Sequence, residues 1–320
     1  MDAVSVVKGK IFFILALFIV MVLGHGCGKS AFDKSNEQGK QAIIDATRIL
    51  LSKNDCSSAL SQIEELYGSQ YTDNDVRMTI ASAYGCSAGI NFFRLLGDIS
   101  LNAPYLAGPP FWSLVAKLFP SVSKTEDRVV EAALLGTEAL MATLHYGAIV
   151  LPTSLINADG FNPGSMIASD RTTDSNIYMV FMTMAALGGL ENRYGVPDST
   201  THVKTTNLPW TSATASGMTT DGCAYASSAI NFSDAVGEVA GSVSGNLATA
   251  FEVLDTIVKA TVYASCEIGC QACNLNYHCV GCPTELRDRT KCAGTTTDLP
   301  SCAAAGIVNM VNAAWIVPVP

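Results

Sequence analysis

Apolar residues recur at intervals of three and four along most of the chain, which is the period of an amphipathic helix. No run with strict two-residue alternation reaches the length of a convincing strand. Alanine and leucine dominate the apolar positions, and aromatic residues make up 8% of the chain. The pattern predicts an all-α fold of antiparallel helical hairpins.

Three helices are predicted to follow one another through short polar turns. A capping box over 35–38 opens the first, Asn54 or Asp55 caps the second, and a box over 72–75 opens the third. Each helix then carries apolar residues on one face.

The second and third helices form a predicted hairpin. If the chain reverses near Tyr71, Cys56 and Cys86 each lie fifteen residues from the turn, so antiparallel helices bring them to the same height and a disulfide is expected. Over roughly 40 residues the hairpin resembles a tetratricopeptide repeat. The resemblance is carried by small and aromatic packing positions: Ala59, Leu60, Tyr67, Ala81 and Tyr84. It implies a helical-repeat scaffold.

Prolines interrupt the chain over 104–110, after which the pattern predicts a short apolar helix over 111–119 and a methionine-rich helix over 176–194. Trp112 lies in the short helix. We interpret it as a core residue, with a place in a ligand groove as the alternative.

A polar stripe follows the helix that a capping box over 123–126 opens and that extends to about Val150. Glu131, Glu138 and His145 recur at seven-residue spacing on one face. Buried together they would suit proton transfer or metal binding. We interpret them as the solvated side of an amphipathic helix.

Threonine and serine dominate residues 198–220, which include Trp210. Such a long segment without helix caps is typical of a surface or binding loop. Trp210, together with Trp112, is therefore a candidate contact for a partner.

A single long helix is predicted from Ser233 to about Tyr263. Gly237, Gly241 and Gly245 lie one turn apart on it, a spacing that favours close approach of another helix.

The N-terminus has the order of an export signal. Lys8 and Lys10 precede thirteen apolar residues, Ile11 to Leu23, a stretch too short to span a bilayer. The residues Leu23-Gly24-His25-Gly26-Cys27 follow and resemble the cleavage signal of bacterial lipoproteins, with Gly24 where that family usually has leucine.

This resemblance implies diacylglyceryl and N-acyl groups on Cys27. Because position 28 is not aspartate, it also implies anchoring in the outer membrane, facing the periplasm. Two or more acyl chains hold a protein stably where one does not. Ordinary cleavage near Gly26, which leaves Cys27 free or paired, is the alternative.

Ten of the eleven cysteines remain beyond Cys27, and disulfides persist in exported proteins, so five bridges are expected. The candidates are Cys56, Cys86, Cys223, Cys266, Cys270, Cys273, Cys279, Cys282, Cys292 and Cys302. A helix of some 30 residues is about 45 Å long, which would separate Cys223 from Cys266. Cys223 is therefore expected to pair with Cys292 or Cys302.

Two C-x-x-C motifs, over 270–273 and 279–282 with His278 beside them, leave zinc binding and redox or iron–sulfur chemistry as alternatives. Only five residues separate the motifs, far fewer than a zinc ribbon has, so no metal or cofactor is predicted. Oxygen-bearing residues over 151–175 leave calcium as a further alternative. They are Asn157, Asp159, Asn162, Asp170 and Asp174.

The predicted organisation is a signal peptide over 1–26, a lipidated tether over 27–35, a helical domain over 36–195, a Ser/Thr-rich loop over 196–222, and a long helix with a disulfide-rich region over 223–320. Loss of Lys8, Lys10 and Asp2 with the signal changes the formal charge from −9 to −10. This charge repels phosphate backbones, so nucleic acid is not an expected partner.

Function is bounded by the absence of a catalytic motif around the three histidines that follow the signal: His145, His202 and His278. We expect a non-enzymatic, lipid-anchored scaffold or binding module that holds another envelope protein. The alternatives are an accessory protein that binds a small apolar ligand for uptake, and an unrecognised envelope enzyme. An enclosed apolar cavity would favour the ligand, and an exposed groove the scaffold.

Overall fold

The computed structural model describes residues 33–70, 73–90, 110–119, 128–141, 168–212, 218–273, 282–292 and 299–319, with a few single positions between 95 and 105. The predicted export signal, Cys27 and most of the predicted tether lie outside these ranges. The described residues up to Ala46 belong to one compact unit and those from Thr47 onward to another.

Helices account for the fold, and the described ranges contain no β-strand, which confirms the all-α prediction. The α-helices are α1 Glu37–Ser52, α2 Cys56–Gln70, α3 Asn74–Ser87, α4 Phe111–Leu118, α5 Arg128–Met141, α6 Thr173–Gly195, α7 Thr220–Ala240, α8 Asn246–Cys273, α9 Arg289–Cys292 and α10 Leu299–Ala314. Short 3₁₀ turns over Ala168–Asp170 and Thr284–Arg287 join them.

Two of the predicted caps are displaced by one residue. Helix α1 is capped by Asn36, whose Oδ1 accepts the Gly39 N–H at 2.8 Å, because Ser35 is bonded to Asp33 instead. Helix α3 is capped by Asp73, whose carboxylate accepts two helix N–H groups. The expected boxes at 35–38 and 72–75 are therefore wrong in detail: in both, a short Asn or Asp side chain supplies the cap.

The cap of α2 is the predicted Asp55, which accepts the Ser58 N–H at 3.2 Å. Helices α2 and α3 pack against each other and are joined by the Cys56–Cys86 disulfide, with a Cα–Cα distance of 5.4 Å. The predicted bridge is confirmed.

The core continues from α3 through α5, α6, α7 and α8 to α10, each helix packing on the next. Helix α6 begins at the cap Thr172 and buries the three methionines that the sequence assigned to the core. They are Met179, Met182 and Met184.

The single long helix expected from Ser233 to Tyr263 is wrong. The chain breaks into α7 and α8 between Gly241 and Gly245, and these two helices pack on each other. Gly245 has φ +70°, a conformation that glycine adopts without steric cost, so the glycine that suggested close packing serves the turn. Of the three glycines, Gly237 alone faces a close neighbour, since a Cβ there would lie 2.8 Å from Asp255 Oδ1.

A closer helix contact lies between α8 and α10. A Cβ on Gly269 would overlap the Cys302 carbonyl, and a Cβ on Gly306 would overlap the Ser265 carbonyl. These two glycines let the backbones meet, the role expected of Gly237 and its neighbours.

Candidate binding groove

A cavity of about 840 Å³ opens between the C-terminal end of α1, helix α3 and helix α6. Its described apolar lining comprises Leu51, Met78, Ile90, Tyr178, Phe181 and Met182. The polar side chains in the lining are Arg48, Ser52, Asn54, Thr79 and Ser82. We call this cavity the groove.

Met182 forms part of the groove wall and fits against two glycines. A Cβ on Gly85 of α3 would lie 2.7 Å from Met182 Cε, and one on Gly136 of α5 would lie 2.9 Å from the same atom. Phe181 beside it is 2% exposed. The two glycines therefore let an unbranched, adaptable side chain of α6 pack between α3 and α5.

The hydroxyl groups in the lining are bonded to their own helices. Ser52 donates to the Ile49 carbonyl at 2.8 Å, Thr79 to the Asp75 carbonyl at 2.7 Å and Ser82 to the Met78 carbonyl at 2.8 Å. Since these donors are already satisfied, the wall is less polar than its residue names indicate.

The described lining of the groove includes a cation and one cysteine of a disulfide. Arg48 has a side chain that is 53% exposed and lies 4.0 Å from the Asp75 carboxylate, which is itself 70% exposed. Asn54 lies beside the Cys56–Cys86 bridge, with its Oδ1 3.8 Å from Cys86 Sγ. Within the described lining, Arg48 is the side chain that carries a charge.

The two tryptophans predicted to contact a partner are buried. Trp112 is 5% and Trp210 is 2% exposed, and their rings lie 6.4 Å and 6.1 Å from the Tyr225 ring. Neither side chain is presented to solvent, so the prediction of partner contacts by these residues is wrong and the core interpretation of Trp112 is confirmed. Gly222 leaves the space that the Trp210 ring occupies, because a Cβ at position 222 would lie 2.6 Å from this ring.

A buried carboxyl group adjoins this aromatic cluster and has no counterpart in the sequence predictions. Tyr225 OH donates to Glu191 Oε1 at 2.8 Å, and Glu191 is 0% exposed. Its Oε2 has no hydrogen-bond partner in the described part of the chain. Burial raises the pKa of Glu191 well above its usual range, which favours the neutral form of the acid. The signal in the sequence that could have indicated this buried acid is a single glutamate, Glu191, directly after the apolar run of α6.

The glutamate stripe on α5 is not a free solvated face. Arg289 binds Glu131 at 2.9 Å and Glu138 at 2.8 Å, which joins α5 to α9. Burial raises the pKa of Glu138, whereas the hydrogen bonds from Arg289 lower the pKa of Glu131. The interpretation as a solvated stripe holds for Glu131, which is 52% exposed. It is wrong for Glu138, which is 20% exposed, because an arginine 151 residues away covers it. His145 lies outside the described residues.

The cysteine cluster is a set of disulfides. The described bridges of this region are Cys223–Cys292, Cys266–Cys282 and Cys273–Cys302. Cys270 is disulfide-bonded as well, and Cys279 lies outside the described residues. The zinc interpretation is wrong for Cys270, Cys273 and Cys282, since the sulfurs of these three residues are used in disulfides.

Cys223 pairs with Cys292, one of the two partners expected for it. The expected separation of Cys223 from Cys266 along a single helix is wrong, however. With the chain turning between α7 and α8, helix length no longer separates Cys223 from Cys266. Cys266 instead bonds Cys282 across 16 residues.

Other predicted ligands are placed only in part. Asp170 lies in the 3₁₀ turn and Asp174 in the first turn of α6, while 151–167 and His278 lie outside the described residues. His202 has φ +56° and its carbonyl accepts the Trp315 indole N–H at 2.8 Å. Within the described ranges, no group of three or more His, Cys, Asp or Glu residues is placed to hold a metal ion.

None of the described helices is both long enough and apolar enough to cross a bilayer. No protein-family model matches the chain, and neither the comparison with curated proteins nor the comparison with solved structures finds a significant match.

Proposed function

We propose that this protein is a lipid-anchored, non-enzymatic binding module of a bacterial envelope and that the groove is its binding element. The observation that carries the proposal is a cavity of about 840 Å³ whose lining combines apolar side chains with a few polar ones and a cation. Ligand sites are typically concave, mostly apolar and supplied with a few placed polar groups.

Export to an oxidising compartment is supported by the disulfides. The four described bridges use eight of the ten cysteines beyond Cys27, and Cys270 and Cys279 complete the even set. Disulfides of this density are typical of envelope and secreted proteins. Cys27 is then the odd cysteine, as a lipidated residue must be.

The groove bears on the choice between a scaffold and a ligand-binding protein. It is open to solvent, which favours a scaffold that holds another envelope protein. Its volume, however, falls within the range of about 300–1,000 Å³ that is usual for small-molecule sites. This volume favours the second candidate, an accessory lipoprotein that binds a ligand for uptake.

Catalysis is not part of the proposal. The carboxyl groups with raised pKa, Glu138 and Glu191, are not among the described lining residues of the groove. The resemblance of α2 and α3 to a tetratricopeptide repeat does not favour one function over another, because other bridged helical pairs would look much the same.

The anchor is tested by the intact mass of the mature protein with and without reduction. We expect the first residue to be an acylated Cys27 and the mass to rise by two hydrogens for each of five bridges. A chain that keeps Met1, lacks acyl groups and shows ten free thiols would contradict the proposal.

The groove is tested in cells with a photoreactive amino acid at position 82. Thr256 provides a matched control site, because its hydroxyl also bonds the carbonyl four residues earlier and its side chain is exposed on α8. We expect an adduct from position 82 and none from 256. A protein adduct supports the scaffold and a small adduct the ligand-binding function, whereas equal labelling at both sites would overturn the groove as the binding element.

A further inference from the structure

We infer that the protein binds one water molecule between α5, α7 and the segment 287–289, where the water is hydrogen-bonded to the Ser228 hydroxyl. This hydration site lies apart from the groove and does not depend on the function proposed for the groove. Its role is structural, because the water completes the hydrogen bonds of a polar contact among three elements.

The size of the site follows from a small cavity between these elements. Thr137 and Glu138 line the cavity from α5, Ser228 lines it from α7, and residues 287–289 line it from the segment that leads into α9. The cavity has a volume of about 10 Å³. A cavity needs about 10–15 Å³ to hold one water molecule, so this one has no room for a larger ligand.

The need for a ligand comes from the Ser228 hydroxyl. Ser228 is 1% exposed, and its Oγ has no hydrogen-bond partner in the described part of the chain. Serine inside a helix can donate to the carbonyl one turn earlier, as Ser82 does, but Ser228 makes no such bond. A buried hydroxyl without a partner destabilises the folded state, and a water molecule in the adjoining cavity removes this cost.

Helix α5 supplies acceptors for the hydrogens of the water. The Thr137 hydroxyl donates to the Ala133 carbonyl at 2.9 Å, which leaves the Thr137 oxygen able to accept. Glu138 Oε1 accepts the Arg289 Nε–H at 2.8 Å, and a carboxylate can accept several further hydrogen bonds. A water that accepts from Ser228 and donates to Thr137 and Glu138 therefore has a full set of partners.

The neighbouring Ser227 shows how α7 is joined to the segment 287–289 without water. The Ser227 hydroxyl donates to the Arg287 carbonyl at 2.5 Å, and the Asn231 side-chain amide donates to the same carbonyl at 3.1 Å. These direct bonds fix α7 to the residues before α9. The bound water supplies the corresponding link from Ser228 of α7 to α5.

The experiment compares two serines of α7, since Ser233 offers a matched control. Ser233 is also 1% exposed, and its hydroxyl likewise has no partner in the described residues, but Ser233 is not in the described lining of the cavity. Replacement of either serine by alanine removes one hydroxyl and changes the helix propensity by the same amount. A difference between the two variants therefore reports the water.

The ligand itself is the probe, because the magnetic relaxation dispersion of water enriched in oxygen-17 counts the water molecules that a protein holds for longer than the bulk solvent does. Exchange of hydroxyl hydrogens does not affect this count. With the mature, disulfide-bonded protein, we expect Ser228→Ala to hold one water fewer than the wild type, and Ser233→Ala to hold the same number as the wild type.

Urea denaturation of the same proteins gives a second measurement. Ser233→Ala should raise the midpoint, because it removes an unpaired buried hydroxyl, whereas Ser228→Ala should lower the midpoint, because the water loses a partner. An unchanged water count in Ser228→Ala would overturn the inference. Loss of a water from both variants, or an equal rise of both midpoints, would overturn it as well.

Discussion

The α2–α3 hairpin and the region from α7 to α10, which we call the braced region, are stabilised in different ways. The hairpin has one disulfide, and α3 borders an open cavity. The braced region has three described disulfides, a buried ion pair and a glycine contact between α8 and α10. Side chains and backbones in the braced region meet closely, whereas α3 leaves space against α1 and α6.

This difference separates stability from binding. Fixed covalent and polar contacts hold the braced region in one arrangement, and the protein can then tolerate an unfilled cavity elsewhere. We therefore expect substitutions in the braced region to change the free energy of unfolding, and substitutions at the groove to change binding.

The largest loss of stability is expected from Arg287→Met in the braced region. Arg287 Nε lies 2.7 Å from Asp234 Oδ2, and both side chains are less than one-tenth exposed. Tyr263 donates to the other carboxylate oxygen at 2.6 Å. Loss of the cation leaves a buried, uncompensated carboxylate, so chemical denaturation should show a loss of about 3–5 kcal/mol.

Lys259→Met serves as the control for this substitution. Lys259 pairs with Asp255 at 4.0 Å and is 48% exposed, so its removal should cost about 0–1 kcal/mol. Equal losses for the two variants would show that the braced region does not depend on its buried pair.

Removal of the hairpin bridge by Cys56→Ser with Cys86→Ser should cost about 2–4 kcal/mol, because the unfolded chain regains the freedom of a loop of 30 residues. Hydrogen exchange should rise in α2 and α3 and change little in α7 to α10. Ser87→Ala, which removes only a hydroxyl bonded to the Ala83 carbonyl, is the control. A uniform rise in exchange over both regions would contradict their independence.

The sequence predicted the helical fold and the Cys56–Cys86 bridge because these depend on local or countable features. Helical periodicity marks which face is apolar, and the spacing of Cys56 and Cys86 about a turn fixes their height. Caps were misplaced by one residue because neighbouring Ser, Thr, Asp and Asn compete for the same N–H groups.

The groove was not predicted, because it forms where three helices fail to fill a space. Periodicity assigns Met182 to a buried face but does not show that Gly85 and Gly136 face it from two other helices. Likewise the spacing of Gly237, Gly241 and Gly245 suggested close packing, whereas Gly269 and Gly306, on different helices, provide it. Such glycine pairs depend on how two helices cross, and the residue pattern of a single helix does not contain this information.

A smaller loss is expected from Gly306→Ala, which tests the tight helix contact of the braced region. The added Cβ overlaps the Ser265 carbonyl, so α10 must move away from α8, at a cost of about 1–3 kcal/mol in thermal or chemical unfolding. Gly241→Ala is the matched control, since nothing lies within 4 Å of its Cβ position and its φ is −76°. Similar effects at both positions would remove the glycine contact as a distinguishing feature.

The last effect depends on pH and concerns Glu191 in α6. This helix contributes Met182 to the groove lining and packs on α7 of the braced region. Burial raises the folded-state pKa of Glu191, so below the unfolded-state value of about 4.3 both states are protonated and pH has no effect through this group. As pH rises further, the unfolded state ionises first and the folded state loses relative stability, by at most about 1.4 kcal/mol per pH unit. Glu191→Gln should remove this decline when denaturation is compared at pH 4, 6 and 8.

Glu131→Gln is the control of opposite sign. The hydrogen bonds from Arg289 lower the folded-state pKa of Glu131, so its contribution to stability is present above the unfolded-state pKa and is lost as pH falls. As pH rises, the free energy of unfolding of the wild-type protein should therefore increase relative to that of Glu131→Gln. Over the same interval it should decrease relative to that of Glu191→Gln. Because Glu131 is 52% exposed, the first trend should be the weaker one. Parallel pH profiles for all three proteins would show that the acid between α6 and α7 is not held neutral by burial.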